Sequence, residues 1–280
     1  MPFPDFDPVI VQIGPFALRW YALAYVAGIV LAWLYAVKLI KTPSLWRGGQ
    51  PPATQQQVDD LILWVTLGII LGGRIGYVLF YRPNLFWTDP LEVLQIWNGG
   101  MSFHGGFLGV VIAVAVFARA NKIDLLRLGD LVAPCAPFGL FFGRVANFIN
   151  GELWGRPTDA PWGVAFPGAP DALPRHPSQL YEAALEGVVL LLILRWATHG
   201  AKLLPRQGML TGLFLLFYGL FRIAVEFLRE PDAHLPEMLR EYATLGMLLS
   251  IPMVLAGVWL IARARREPSG AAEAEGPVPA

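Results

Sequence analysis

Cysteine is nearly absent: Cys135 is the single one among 280 residues, which excludes an internal disulfide and any cysteine-rich metal site. Charge is scarce too. Only 15% of the residues are charged, where a soluble domain usually has about a quarter. Neither sign dominates, with 21 basic against 21 acidic side chains, so the basic footprint of a nucleic-acid partner is missing. No G-x-S-x-G elbow occurs, which leaves a serine hydrolase without support. No basic segment precedes the first apolar run, where Asp5 and Asp7 sit instead, so a cleaved signal peptide is not expected. What fills the chain is apolar. Hydrophobic residues make up 55% of it, in long runs from the first residues almost to the last. This is a membrane-resident chain rather than a soluble domain with an anchor.

A helix needs roughly 20 apolar residues to cross a hydrocarbon core of about 30 Å. Seven stretches qualify, at about 18–40, 58–81, 101–119, 128–149, 179–197, 208–228 and 241–262. The third and fifth are short. The fourth contains Pro134 and Pro137, whose freed backbone groups neighbouring helices must satisfy. The expected fold class is all-α: a polytopic membrane protein with about seven transmembrane helices. One transmembrane domain would occupy 1–265, with the Gly- and Pro-rich external segment 150–178 as a small extramembrane element. The stretch EPSGAAEAEGPVPA that follows Arg266 lacks apolar periodicity, and 266–280 is expected to be a disordered cytoplasmic tail. No internal repeat is visible, which weakens an inverted-repeat transporter.

Lysine and arginine in the loops orient such a chain. All four lysines, Lys38, Lys41, Lys122 and Lys202, fall in one set of connections, with Arg47, Arg119, Arg127, Arg195, Arg206, Arg263, Arg265 and Arg266. The other set holds Arg82, Arg156, Arg175, Arg229 and Arg240. The lysine-bearing side should be cytoplasmic, with the N-terminus outside and the C-terminus inside. An odd number of spans requires the same arrangement.

Charges inside the spans are the anomaly. Arg74, Arg144 and Arg222 each interrupt an apolar stretch, as do Glu182, Glu186 and Glu226. A charge at mid-bilayer costs at least about 2.5–3.5 kcal/mol on insertion scales. One arginine near a span end is as readily explained by structural pairing as by function; three at one depth are not. With the orientation above, all three arginines lie in the last third of outward-running spans. Tyr21, Tyr25, His104 and Glu182 lie in the first turns of inward-running ones. Arg222 would be roughly 9 Å below the outer surface at 1.5 Å per residue. The polar groups therefore gather in the outer half of the membrane. Tyr218, Arg222 and Glu226 share one helix face, where Glu226 would neutralise or orient Arg222. Arg74, Tyr77 and Tyr81 share another, and Arg144, Asn147 and Gly151 a third. Guanidinium forks match phosphate oxygens in pairs, so arginines in an outer-leaflet cavity suggest a phospholipid headgroup.

Met101-Ser102-Phe103-His104-Gly105-Gly106 opens the third span. A neutral imidazole is the natural general base near neutral pH, although a lone interfacial histidine is more often held by a backbone carbonyl. Two glycines after His104 are a costly helix start unless something packs closely there. His176 precedes Pro177 and reads as structural, while His199 and His234 sit in loops. The histidines form no ligand cluster, so neither a metal nor another cofactor is expected. Cys135, among apolar neighbours, reads as a buried inert thiol.

The run Gly143-Arg144-Val145-Ala146-Asn147-Phe148-Ile149-Asn150-Gly151-Glu152-Leu153-Trp154-Gly155-Arg156 resembles the signature of the prolipoprotein diacylglyceryl transferase family. The resemblance extends to Asp7–Ile10, Gly72–Tyr77, the M-S-F-H-G-G run, His176–Glu182 and Phe221–Phe227, in order from residue 7 to about 257. It departs at Ala146, where the signature commonly has glycine, and at a shorter segment 157–174. The resemblance implies an enzyme of the bacterial inner membrane, acting on its periplasmic side. Such enzymes move the diacylglyceryl group of phosphatidylglycerol onto the lipobox cysteine of a prolipoprotein, forming a thioether and releasing glycerol phosphate. The match carries the family's important positions onto Tyr21, His104, Arg144, Asn147, Glu152, Gly155, Tyr218 and Arg222.

Resemblance and depth together nominate His104, Arg144 and Arg222 as catalytic: the histidine to take the thiol proton, the arginines to hold the departing phosphate. Arg144, Asn147, Tyr21, Glu152, Gly155, Tyr218, Glu226 and Glu182 are the substrate-binding candidates. A transporter would also place arginines in a cavity, but it needs polar groups along a path to the other side, and the cytoplasmic halves of these spans are almost purely apolar. A purely structural subunit has no need of a shallow histidine aligned with buried arginines.

Overall fold

The structure is a computed structural model that describes residues 1–266, apart from Asp5, Pro15, Trp97, Asn98 and 231–244. The expected tail 266–280 lies, beyond Arg266, outside the described residues. The described chain is mainly helical and forms two compact units, Met1–Gln50 with Asp130–Ala280, and Pro51–Gly129.

The first unit begins with a departure from the all-α expectation. Strands β1 (Val9–Ile13) and β2 (Phe16–Arg19) pair antiparallel. The run VIVQI is rich in β-branched residues, which favour extended backbone, and Gly14 takes φ +59° in the turn. Helix α1 (Trp20–Ile40) follows directly. It packs on α6 (Ala136–Ile149), where a Cβ at Gly28 would come within 3.0 Å of the Gly139 backbone.

The second unit is built on α2 (Gln55–Tyr81), α3 (Leu85–Thr88) and α4 (Phe103–Ala120). Thr54 starts α2 with a capping box: Gln57 N–H donates to its hydroxyl at 3.3 Å, and Thr54 N–H donates to the Gln57 side chain at 2.9 Å. Helices α2 and α4 touch backbone to backbone. Gly72 of α2 faces Gly105 and Gly109 of α4, and a Cβ on it would come 2.8 Å from the Gly109 Cα. Small residues at four-residue spacing are the common device for such contacts between membrane helices. The glycine after His104 is therefore required by packing.

Helix α5 (Leu125–Val132) and α6 are bent by 45° to one another at the break that holds Pro134, as expected where a proline removes a backbone donor. The next helical stretch alternates in pitch. It comprises α7 (Ser178–Glu182), a π-helical run Ala183–Val189, α8 (Leu190–Arg195) and a second π-helical run Trp196–Gly200. Buried Asp130 caps α9 (Met209–Glu226), accepting from Thr211 N–H at 2.9 Å and from its hydroxyl at 3.0 Å. Helix α10 (Leu245–Arg266) closes on α9, with Gly212 against Gly257.

Four of these helices are long and apolar enough to cross a membrane, or five if the bent pair α5–α6 counts as one. Helix α4 is apolar but shorter. Every predicted interval contains helix, but residues 241–244, at the start of the seventh, lie outside the described residues. Along α2, Leu63, Leu67 and Leu71 lie exposed on one face, whereas Arg74 is 4% exposed. Apolar residues outside and charged ones inside invert the pattern of a soluble protein. The chain is a helical, multi-pass membrane protein.

Candidate functional site

The signature stretch runs off the end of α6 into a tight turn. Gly151 has φ +64°, a left-handed conformation that favours glycine. A Cβ there would meet its nearest neighbour at an ordinary 3.6 Å, so the backbone conformation rather than crowding selects the glycine. The turn brings Glu152 back over the helix, where it accepts from Asn147 Nδ2 at 2.8 Å and from Asn150 Nδ2 at 3.4 Å. Gln179 then donates to the Glu152 carbonyl and Ser178 to that of Leu153. Two successive carbonyls of the signature are thus tied to the start of α7.

That seating puts Glu182 beside Arg144. Arg144 Nε stands 2.9 Å from Glu182 Oε2, and its terminal nitrogen lies 3.7 Å from Glu186 Oε2. Arg222 reaches Glu182 Oε1 at 2.6 Å and Glu226 Oε2 at 2.9 Å. Arg229 lies 3.7 Å from Glu182 Oε1. One carboxylate, 1% exposed, thus bridges arginines from α6 and α9 and approaches a third. Three guanidiniums meet three carboxylates in this cluster. That balance lets so many charges sit among apolar helices, because unpaired charges there would cost several kcal/mol each.

Tyr21 and Tyr218 lie within electrostatic reach of the Arg144 guanidinium, and Tyr21 packs against Tyr25 with ring centroids 5.1 Å apart. Tyr218, Arg222 and Glu226 do share one face of α9, as their spacing indicates. Of the ten sequence candidates, six converge on the ion-paired cluster or its electrostatic reach, Tyr21, Arg144, Glu182, Tyr218, Arg222 and Glu226, while Asn147 and Glu152 pair with each other in the adjoining signature turn.

Gly155 has a backbone role. Its N–H donates to the His176 carbonyl at 2.8 Å, and a Cβ would stand 2.7 Å from His176 Cβ, with the Leu228 carbonyl closer still. His104 is the second residue of α4, in the other unit; its side chain lies outside the described residues. Arg74 donates to the carbonyls of Glu92, Val93, Gly99 and Gly100 and stacks over Tyr77 at 5.6 Å. It ties a loop to α2. Cys135, also buried, donates to the Leu131 carbonyl.

Sequence reasoning left two members out of the site set, Glu186 and Arg229. Glu186 is four residues from Glu182, a spacing that signals a shared face. Arg229 lies past the end of α9, among the loop residues as its sequence position indicates, and no local spacing signals its approach to Glu182. Beyond the cluster, His176 Nδ1 meets the Tyr181 hydroxyl at 3.1 Å. His199, at the far end of the same helical stretch, contacts the Tyr35 hydroxyl at 3.1 Å. Burial, and after it the charges of Arg195 and Lys38, hold the His199 imidazole below its usual range.

Apolar helices enclosing an ion-paired arginine–glutamate centre define a multi-pass membrane protein with a charged interior. The family is explicit in comparison with known proteins. A family model described as prolipoprotein diacylglyceryl transferase matches residues 8–263, and the chain belongs to that family. It is 64% identical, over the full length of both chains, to a protein of Phenylobacterium zucineum named phosphatidylglycerol–prolipoprotein diacylglyceryl transferase. Proteins of the same name from Caulobacter sp. and Rhizobium meliloti are 58% and 57% identical. They cover 96% and 95% of this chain, with 96% and 94% of their own lengths matched.

Proposed function

We propose that the chain transfers the diacylglyceryl group of phosphatidylglycerol to the lipobox cysteine of prolipoproteins, the first step of bacterial lipoprotein maturation. The observation that carries this reading is the bridge from Arg144 through Glu182 to Arg222 in a member of this family. A thiol with an ordinary pKa near 8.5 must lose its proton to attack. The proton passes to His104, the sulfur forms a bond to the glyceryl carbon, and the carbon–oxygen bond to phosphate breaks. The electron pair leaves with the phosphate as glycerol phosphate, and the peptide keeps a thioether.

The role of the arginines follows from their tether. Guanidiniums already fixed by Glu182 need no reorganisation when charge develops on the departing phosphate, and preorganised cations stabilise such charge best. Asn147 and Tyr21 supply hydrogen bonds to the headgroup, with Glu152 holding the Asn147 amide in place. Gly155 supports the site by letting the signature turn close on His176.

We further infer seven membrane crossings, an outer N-terminus and a cytoplasmic C-terminus, with residues 1–265 acting as one transferase domain. The confinement of all four lysines to one set of loops supports that orientation. The reaction would then take place on the periplasmic side of the bacterial inner membrane.

The direct test incubates the purified protein with phosphatidylglycerol and a lipobox peptide. The expected result is a diacylglyceryl mass increase on the peptide cysteine, with release of glycerol phosphate. An unmodified peptide in the presence of folded protein would overturn the reading.

A further inference from the structure

A second lipid-shaped feature lies in the first unit, at the end of α9 opposite Arg222 and Glu226. There α8, α9 and α10 leave a groove of about 610 Å³. Met209, Leu213 and Phe217 line it from one face of α9, and the run from 209 to 217 rises about 12 Å at 1.5 Å per residue. Leu192 and Ile261 belong to the other walls. Two charged residues line the groove and both are basic: Arg206, in the turn before α9, and Arg265, in the last turn of α10. Among the described residues, no acidic one lines it. Neither guanidinium is ion-paired among the described residues.

The contrast with the Arg144 cluster is the informative part. There each arginine meets a carboxylate, whereas here two guanidiniums close an apolar trough with none among the described residues. We propose that this groove binds an anionic phospholipid of the surrounding bilayer, its acyl chain along Met209, Leu213 and Phe217 and its phosphate between Arg206 and Arg265. Basic pockets between membrane helices recognise anionic headgroups, and guanidinium forks match phosphate oxygens. Trp196 also lines the groove and is 67% exposed, as an indole at headgroup level would be. Basic residues at helix ends also serve to orient a chain, but orientation requires no groove between them. A zwitterionic lipid carries its own cation beside the phosphate and gains less from the pair. This site is distinct from the transferase reading and does not depend on it.

The test is native mass spectrometry of the full chain in detergent, with phosphatidylglycerol or phosphatidylcholine added and no acceptor peptide. The wild type should retain one more phosphatidylglycerol than R206A/R265A, with affinity at that position falling roughly tenfold or more on loss of two basic side chains. R206K/R265K should restore part of it. Leu213→Trp, which fills the trough and leaves the charges, should remove the same lipid. Equal lipid occupancy in wild type and R206A/R265A would overturn the proposal. So would equal retention of phosphatidylcholine, a lipid unaffected by Leu213→Trp, or displacement of the lipid by inorganic phosphate alone. The transferase assay, run in parallel, reports independently on the reaction site.

Discussion

Arg144 and Glu182 meet at 2.9 Å, and the same carboxylate holds Arg222 at 2.6 Å. A single buried glutamate therefore sets the spacing of two cations drawn from separate helices. The consequences can be tested residue by residue.

Arg144→Lys keeps the positive charge but not the fork. Arg144 addresses Glu182 through Nε and Glu186 through a terminal nitrogen, and a single ammonium cannot reproduce that span. Turnover should fall by about 10²–10³-fold, the usual loss when a preorganised donor is removed, while the protein remains folded by circular dichroism. Wild-type turnover in this variant would assign Arg144 to structure alone.

Glu182→Gln removes the shared anion and leaves three arginines facing two carboxylates. Breaking a buried pair by deleting one partner costs about 3–5 kcal/mol. Thermal unfolding in detergent should show a large loss of stability, together with a fall in transfer. A variant as stable as the parent would mean that the ion pairs contribute little to the fold.

His104→Gln should reduce transfer nearly to background while phosphatidylglycerol binding survives, because only proton removal from the thiol is lost. Measuring turnover and lipid binding on one preparation separates the two effects. Normal turnover would require another base, the lipid phosphate among them.

Gly155→Ala inserts a methyl group between the His176 and Leu228 backbones. Overpacking of this kind costs about 1–3 kcal/mol, and the signature turn would shift with it. The expected outcome is lowered stability and lowered activity together. Loss of activity at full stability would instead argue for direct contact between Gly155 and substrate.

Arg74→Ala should destabilise the second unit without a specific catalytic defect. Four part-buried carbonyls lose a charged donor, and a hydrogen bond to a charged group contributes about 1.5–3 kcal/mol. Protease sensitivity of the Glu92–Gly100 loop reports the change; an unaltered digestion pattern would count against the tether.

Much of this was legible along the chain, and the legible part is local. The apolar runs marked the helices because a bilayer demands length and hydropathy over contiguous residues. The four-residue spacing of Tyr218, Arg222 and Glu226 placed them on one face because helical pitch depends on near neighbours alone. Gly105 beside His104 signalled close packing for the same reason. The β1–β2 hairpin is not legible in this way, since its β-branched run merges with the apolar entry to the first span.

Tertiary structure decided what joins across the chain. The sequence makes Glu182 a binding candidate by depth; only the seating of α7 against the signature turn makes it the bridge between Arg144 and Arg222. Glu186 and Arg229 enter the cluster through the same packing. Gly155, a substrate-binding candidate by resemblance, also lies at a backbone crossing with His176 and Leu228. Hydropathy and periodicity report which face a residue occupies, whereas pairing depends on the register between distant helices, and that register is set by packing.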